Sequence, residues 1–386
     1  MAAPEARRAC RRLLLVIDHF GSGGAQRQMV ELACGLKMRG HHVEMFVYFP
    51  QHDFFRERID RLGIVVHEHV KNTRFSPQII FKLAAVMRAG SFDLVVSYLK
   101  NTNIYAELAK LCCGDTKLVV SERTSYLDDR SATAALIRRS LHVIADQVVA
   151  NSESQADWLR RKKWLRDKVS CIYNGLDLSE FRPNENSGVA PSSSSDMKLL
   201  CIGRVGPEKN VLALIDALGS LVKDYGYCPQ LRWVGRRDES RAGRNYCLAV
   251  DRRLEQLPAV HRNWHWLGLR SDVKFLLGTH DVLVHPSLYE GLPNVVCEAL
   301  ACGMPVLASN VCDHPVLVED NVRGFLFDPA DVGSIAAAIN KMAELPFADW
   351  QRMSRNARQY AEDALDIQRM LQSYESLVEQ LVEDQE

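Results

Sequence analysis

Two glutamates, Glu290 and Glu298, stand eight positions apart in the stretch SLYEGLPNVVCEALACGMP (287–305), on either side of a Pro-Asn step. Pro293 suits a first helical position, Gly303 a helix stop and Pro305 a bar to its return, which predicts a helix over about 293–302. Glu290 then lies on the loop before the helix and Glu298 inside it, flanked by Val296, Cys297, Ala299 and Leu300. The N–H groups of Asn294, Val295 and Val296, at the positive end of the helix, form an anion site between the two carboxylates. A diphosphate at the helix start, sugar hydroxyls on Glu290 and ribose hydroxyls on Glu298 would match a nucleotide sugar. The competing reading makes Glu290 a cap and Glu298 a surface residue.

A second anion site is legible in CIGRVGPEKN (201–210). Arg204 follows a strand and Gly203, and Lys209 comes five residues on at the opening of the next helix, so both cations project from one strand end. Two fixed cations suit a diphosphate whose charge grows as it leaves; the bland alternative is a surface Arg and Lys. Glu208 stands where a Walker loop needs glycine, and in DHFGSGGAQRQ (18–28) Gln26 stands where a dinucleotide fingerprint needs its third glycine. What that first loop retains is Gly23 and Gly24 before a helix, with amides that can meet an anion. His19 on the same loop, and Glu122 and Arg123 after a later strand, are acceptor-side candidates. A hydrogen-bonded loop histidine and a structural salt bridge are their ordinary alternatives.

The elements that must hold these residues alternate. Short apolar runs such as RLLLVI, HVEMFVY, DLVVSY and TKLVVSE are separated by helix-period segments, the pattern of parallel sheets covered on both faces. The stretch FRPNENSGVAPSSSSD (181–196) reads as a linker, after which the alternation restarts. The expectation is two Rossmann-like, doubly wound parallel-sheet domains facing a cleft: residues 1–185, a linker at 186–196, and a nucleotide-sugar domain at 197–365.

At 386 residues, 47% hydrophobic and 25% charged, the chain is an ordinary globular protein with room for two cores. Residues 1–190 carry 28 Lys/Arg against 21 Asp/Glu and the rest 20 against 27, so the first half is the one suited to an anionic partner, a membrane or a phosphate rather than nucleic acid. The basic stretches SATAALIRRSLHVIADQ and WLRRKKWLRDK, with Arg138, Arg139, Arg160, Arg161, Lys162, Lys163 and Trp164, are candidates for peripheral contact with an anionic membrane. No apolar run approaches a membrane span. Eleven cysteines without a CxxC pair point to reduced thiols in the cytoplasm, and no metal pattern is evident.

The run HPSLYEGLPNVVCEALACGMPVLASN resembles the E-x7-E segment of the retaining glycosyltransferases of family four, which have the GT-B fold. GGAQRQ, VVANSE, CIYNGLD, GRVGPEKN, WLGLRSDV and NVRGFLFDP match in the same order, so the resemblance covers nearly the whole chain. It implies that Arg204 and Lys209 hold the donor diphosphate, Glu290 the transferred sugar and Glu298 the ribose, with base contacts near Leu269. It also implies front-face attack without cofactor or divalent metal, and a last helix, about 366–386, packed on the first domain. The donor would be of the UDP-N-acetylhexosamine or GDP-mannose type and the acceptor a polysaccharide or lipid-linked glycan. One departure stands out: where many members carry an acceptor-side histidine, this chain reads VVSERTSY, with Arg123. A GT-B-like epimerase or sugar phosphorylase, and a non-catalytic nucleotide-sugar-binding protein, are the rival readings.

Overall fold

The computed structural model describes residues 9–73, 75–125, 127, 132–184 and 191–383. The first five residues of the expected linker, 186–190, lie outside the described residues with position 185, as do the chain's first eight and last three positions. Two compact units emerge: Met1–Gly175 with Ile367–Glu386, and Leu176–Asp366.

In the first unit the strands are β1 (Arg12–Val16), β2 (His42–Val47), β3 (Val65–Glu68), β4 (Leu94–Tyr98), β5 (Lys117–Glu122), β6 (Gln147–Ala150) and β7 (Val169–Cys171). Their order is β3-β2-β1-β4-β5-β6-β7, and every pairing is parallel. Every residue of β4 is buried, because helices cover both faces of such a sheet and leave no polar side. Chain order reverses between β1 and β4, which makes the loop after β1 the natural binding edge.

The second unit contains β8 (Lys198–Ile202), β9 (Gln230–Val234), β10 (Trp264–Gly268), β11 (Val282–His285), β12 (Val306–Ser309) and β13 (Gly324–Phe327). They pair in parallel in the order β10-β9-β8-β11-β12-β13, so the reversal falls between β8 and β11. VLVH and VLAS, β11 and β12, are buried throughout. The loops leaving β8 and β11 carry Lys209 and Glu290, and adjacent strands therefore deliver them to one edge.

The first unit ends at Gly175, ahead of the expected boundary at 185. Gln28 brackets Gly175, donating Nε2–H to its carbonyl at 2.9 Å and accepting its N–H at 3.0 Å. Leu176 instead donates its N–H to the Leu365 carbonyl at 2.8 Å, in the second unit. The helix Ile367–Glu383 packs on the helix Gly24–Met38: Leu371 lies over Gly35, and the Tyr98 and Tyr374 hydroxyls meet at 2.9 Å. Glu375, buried, accepts from Arg39 at 2.5 Å and sits 3.3 Å from His41.

Candidate active site

At the edge formed by β8 and β11, the Lys209 ammonium donates to Oε1 of Glu290. His285, the last residue of β11, places Nε2 3.0 Å from the same oxygen. The Lys209 and Glu290 side chains keep 17% and 18% of their surface exposed, so the pair lies at a surface edge yet is largely desolvated. Burial would raise the Glu290 pKa, but the Lys209 charge and the His285 hydrogen bond outweigh it and hold the carboxyl well below the usual range. Burial, then the Lys209 charge, lowers the His285 pKa.

Local backbone chemistry builds this pair. Lys209 closes a short 3-10 turn, Pro207–Lys209, rather than opening the next helix; Asn210 adopts φ 54° and the helix begins at Val211. Asn210 holds that left-handed geometry by donating Nδ2–H to the Pro329 carbonyl at 2.8 Å. The lysine stem crosses Gly203: a methyl there would sit 3.1 Å from Lys209 Cε. The Gly203 carbonyl accepts from Trp233 Nε1 at 2.8 Å. The Leu288 N–H donates to the Glu208 carbonyl at 2.8 Å, which ties the Glu290 loop directly to the lysine turn.

Arg204 is half-exposed and pairs with Glu208 at 2.6 Å and Asp238 at 3.4 Å. The two expected cations thus share a strand end, but of the two it is Lys209 that bonds Glu290. The helix after Glu290 spans Asn294–Ala301, with Pro293 as its N-cap at ψ 94° instead of its first residue. The Val296 N–H, expected to face an anion, is taken by the Pro293 carbonyl at 3.0 Å. Glu298 is 5% exposed, so the surface reading gives way; burial, then the Glu298 charge, pushes the Cys302 thiol up to about 12. Leu269, just past β10, is 78% exposed.

In the first unit, Gly23 caps the helix Gly24–Met38, and the Gln26 side chain folds back over it to donate Nε2–H to Asp18 at 2.9 Å. The residue that broke the dinucleotide pattern thus orders the loop. His19 accepts the Gly21 N–H on Nδ1 at 2.8 Å, and burial lowers its pKa. Arg123 lies with its guanidinium 3.5 Å from the Tyr98 ring centre and donates to Asn174 at 2.5 Å and to Ser121 at 3.1 Å.

Glu122 has internal partners rather than a face for an acceptor. It is wholly buried, bonded by Arg138 and 3.2 Å from His142 Nε2, whose Nδ1 lies 2.5 Å from Glu107. No local pattern signals this chain of contacts, because Glu107, Glu122 and His142 come from three separate elements. Arg138 and Arg139, expected to face a membrane, are buried too; Arg139 lies over the Trp158 ring at 4.3 Å. Among the described residues no helix is long and apolar enough to cross a membrane. His285, missed in the sequence reading, had a signal: a histidine ending an apolar strand five residues before Glu290.

Two parallel α/β units, with a cation and carboxylate at the switch point of the second, define a doubly wound two-unit α/β protein with a candidate binding edge. Residues 184–360 match the family model of glycosyl transferases group 1 and residues 22–180 that of Glycosyltransferase Family 4. The chain belongs to the family-four glycosyltransferases and has the GT-B fold. It is 23% identical over 276 residues to UDP-Gal:alpha-D-GlcNAc-diphosphoundecaprenol alpha-1,3-galactosyltransferase of Escherichia coli, spanning 69% of this chain and 70% of that one. It is 26% identical over 362 residues to N,N'-diacetylbacillosaminyl-diphospho-undecaprenol alpha-1,3-N-acetylgalactosaminyltransferase of Campylobacter jejuni, spanning 87% and 92%. The crystal structure of Anabaena HepE in complex with UDP aligns with a TM-score of 0.81 at 20% identity, over 96% of this chain and all of that one.

Proposed function

We propose that this chain transfers a hexosyl unit, with retention of configuration and without a divalent metal, from a nucleoside diphosphate sugar to a glycan hydroxyl. The donor is of the UDP-N-acetylhexosamine or GDP-mannose type, and the acceptor is a sugar on a lipid diphosphate or a growing polysaccharide. The observation that carries the reading is the Lys209–Glu290 pair, delivered by adjacent strand ends next to the helix starting at Asn294. The two relatives named above support the choice of acceptor class, since both are named for sugars on diphosphoundecaprenol.

In this reading Lys209, Arg204 and the Asn294 and Val295 amides hold the diphosphate, and Glu290 accepts from the transferred sugar. Glu298 binds the ribose, and the backbone around Gly203 and Leu269 lines the donor. Within the first unit, the Gly23 and Gly24 amides are assigned to an anionic group, and His19 and Arg123 to the acceptor. The bond from the anomeric carbon to the diphosphate oxygen breaks as the acceptor oxygen attacks on the same face. The leaving phosphate takes the acceptor proton, so Lys209 and the amides act by stabilising charge that grows in the transition state. Purified chain would be incubated with each UDP- and GDP-sugar and a polyprenyl-diphosphate monosaccharide, with and without EDTA. Transfer with retained configuration and EDTA tolerance is expected. Epimerisation without acceptor, or binding without turnover across all donors, would overturn it.

A further inference from the structure

Oε1 of Glu290 receives two donors, Lys209 Nζ and His285 Nε2, while Oε2 receives neither. A carboxylate only accepts, so the His285 nitrogen facing it carries the proton, and burial and the Lys209 charge, which lower the ring's pKa, favour the neutral form. That ring is boxed in. It is 2% exposed, the Ser287 hydroxyl lies 3.3 Å from the same nitrogen, and the His314 ring stands perpendicular to it, centroids 5.2 Å apart at 89°. His314 in turn donates Nδ1–H to the Ser309 carbonyl at 2.8 Å, and the Ser309 hydroxyl donates to the Ser287 carbonyl at 2.5 Å. The loop before Glu290 is therefore braced from β12.

A lysine ammonium is a mobile point charge on a flexible stem. Left to it alone, a carboxylate can turn and give both oxygens to the ammonium, and each group then neutralises the other. A fixed N–H on Oε1 prevents that turn. We propose that His285 is a positioning residue for donor binding: it pins Oε1, reserves Oε2 for a hydroxyl of the transferred sugar, and leaves Lys209 N–H groups for the diphosphate. The proposal rests on the transferase reading and deepens it, because it makes recognition of the sugar, as distinct from the nucleotide, depend on a buried histidine.

The test compares H285A, H285Q and wild type, with E290Q alone and combined with H285A. Kinetics would be read beside calorimetric binding of UDP and of the intact UDP-sugar. H285A should lose about tenfold to a hundredfold in kcat, the range set by misplacing a reacting group. It should also lose the extra affinity that the sugar adds over UDP, while UDP itself binds within about twofold of wild type. H285Q, whose amide can set an N–H near Oε1, should recover most of the loss. In the E290Q background H285A should cost little more, since the two act through one contact. Equal losses in UDP and UDP-sugar affinity, no rescue by H285Q, or full additivity with E290Q would each overturn the proposal. A wild-type chain that turns over and is matched by H285A would overturn it alone, whereas a wild-type chain without turnover would remove the transferase reading and this inference with it.

Discussion

Replacing Lys209 by Ala removes the ammonium that bonds Glu290 and that faces the departing diphosphate in our reading. A close charge pair at an effective dielectric near 20 carries about 4 kcal/mol of Coulomb energy. Both side chains keep close to a fifth of their surface in water, 17% and 18%, so screening reduces the net loss of stability to about 1–2 kcal/mol. Turnover should suffer more, by about a hundredfold to a thousandfold, or about 2.7–4 kcal/mol of barrier, because the cation is needed most where charge develops. The pH profile should shift as well. In the wild type, Lys209 and His285 overcome burial and hold Glu290 ionised well into acid; without Lys209, burial gains ground and the carboxyl pKa rises. The variant should therefore lose activity at a higher pH than wild type on the acid side. The assay is steady-state transfer across pH beside thermal unfolding. A K209A chain with a lowered Tm but kcat within about threefold of wild type would count decisively against a role in transfer, since Lys209 would then be a structural ion only.

Gly203→Ala should leave Tm nearly unchanged, since its methyl meets only the movable Lys209 stem at 3.1 Å, yet lower turnover about tenfold by displacing the ammonium; equal losses in both would count against it. Gly175→Ala should destabilise the fold by about 1–3 kcal/mol in denaturant titration, because its methyl would come 2.7 Å from the Ile367 backbone. His142 is lowered by burial but raised more by its bonds to Glu107 and Glu122, ending at about 9. Its contribution is complete below its unfolded value of 6.5 and is lost as pH climbs through about 9, so stability should fall across that window and His142→Gln should flatten the fall. Glu122, held down to about 2, works the other way: its contribution is present above the ordinary 4.5 and is lost only as pH falls through about 2.

Much of this molecule could be read in its letters. The apolar runs that became β1, β4, β11 and β12 are buried on both faces, and such strands carry their parallel pairing in their lack of alternation. Glu290, Lys209 and Gly203 were legible because strand, glycine and helix punctuation are local signals. Details that depend on one or two dihedrals escaped: Pro293 caps the helix instead of entering it, and Lys209 ends a 3-10 turn.

The two α/β series, the strand ends from which chemistry issues and the residue types available there are therefore written in the order of the residues, since each depends on short-range periodicity and turn preference. Which side chains meet was set by the three-dimensional packing. His285 and Lys209, 76 positions apart, meet one oxygen of Glu290 because β8 and β11 are neighbours. By the same means, Arg138 and Arg139 went inward to carboxylate and ring rather than outward to a bilayer, because a buried Glu122 needs a cation and periodicity alone cannot say which face of a helix will find one.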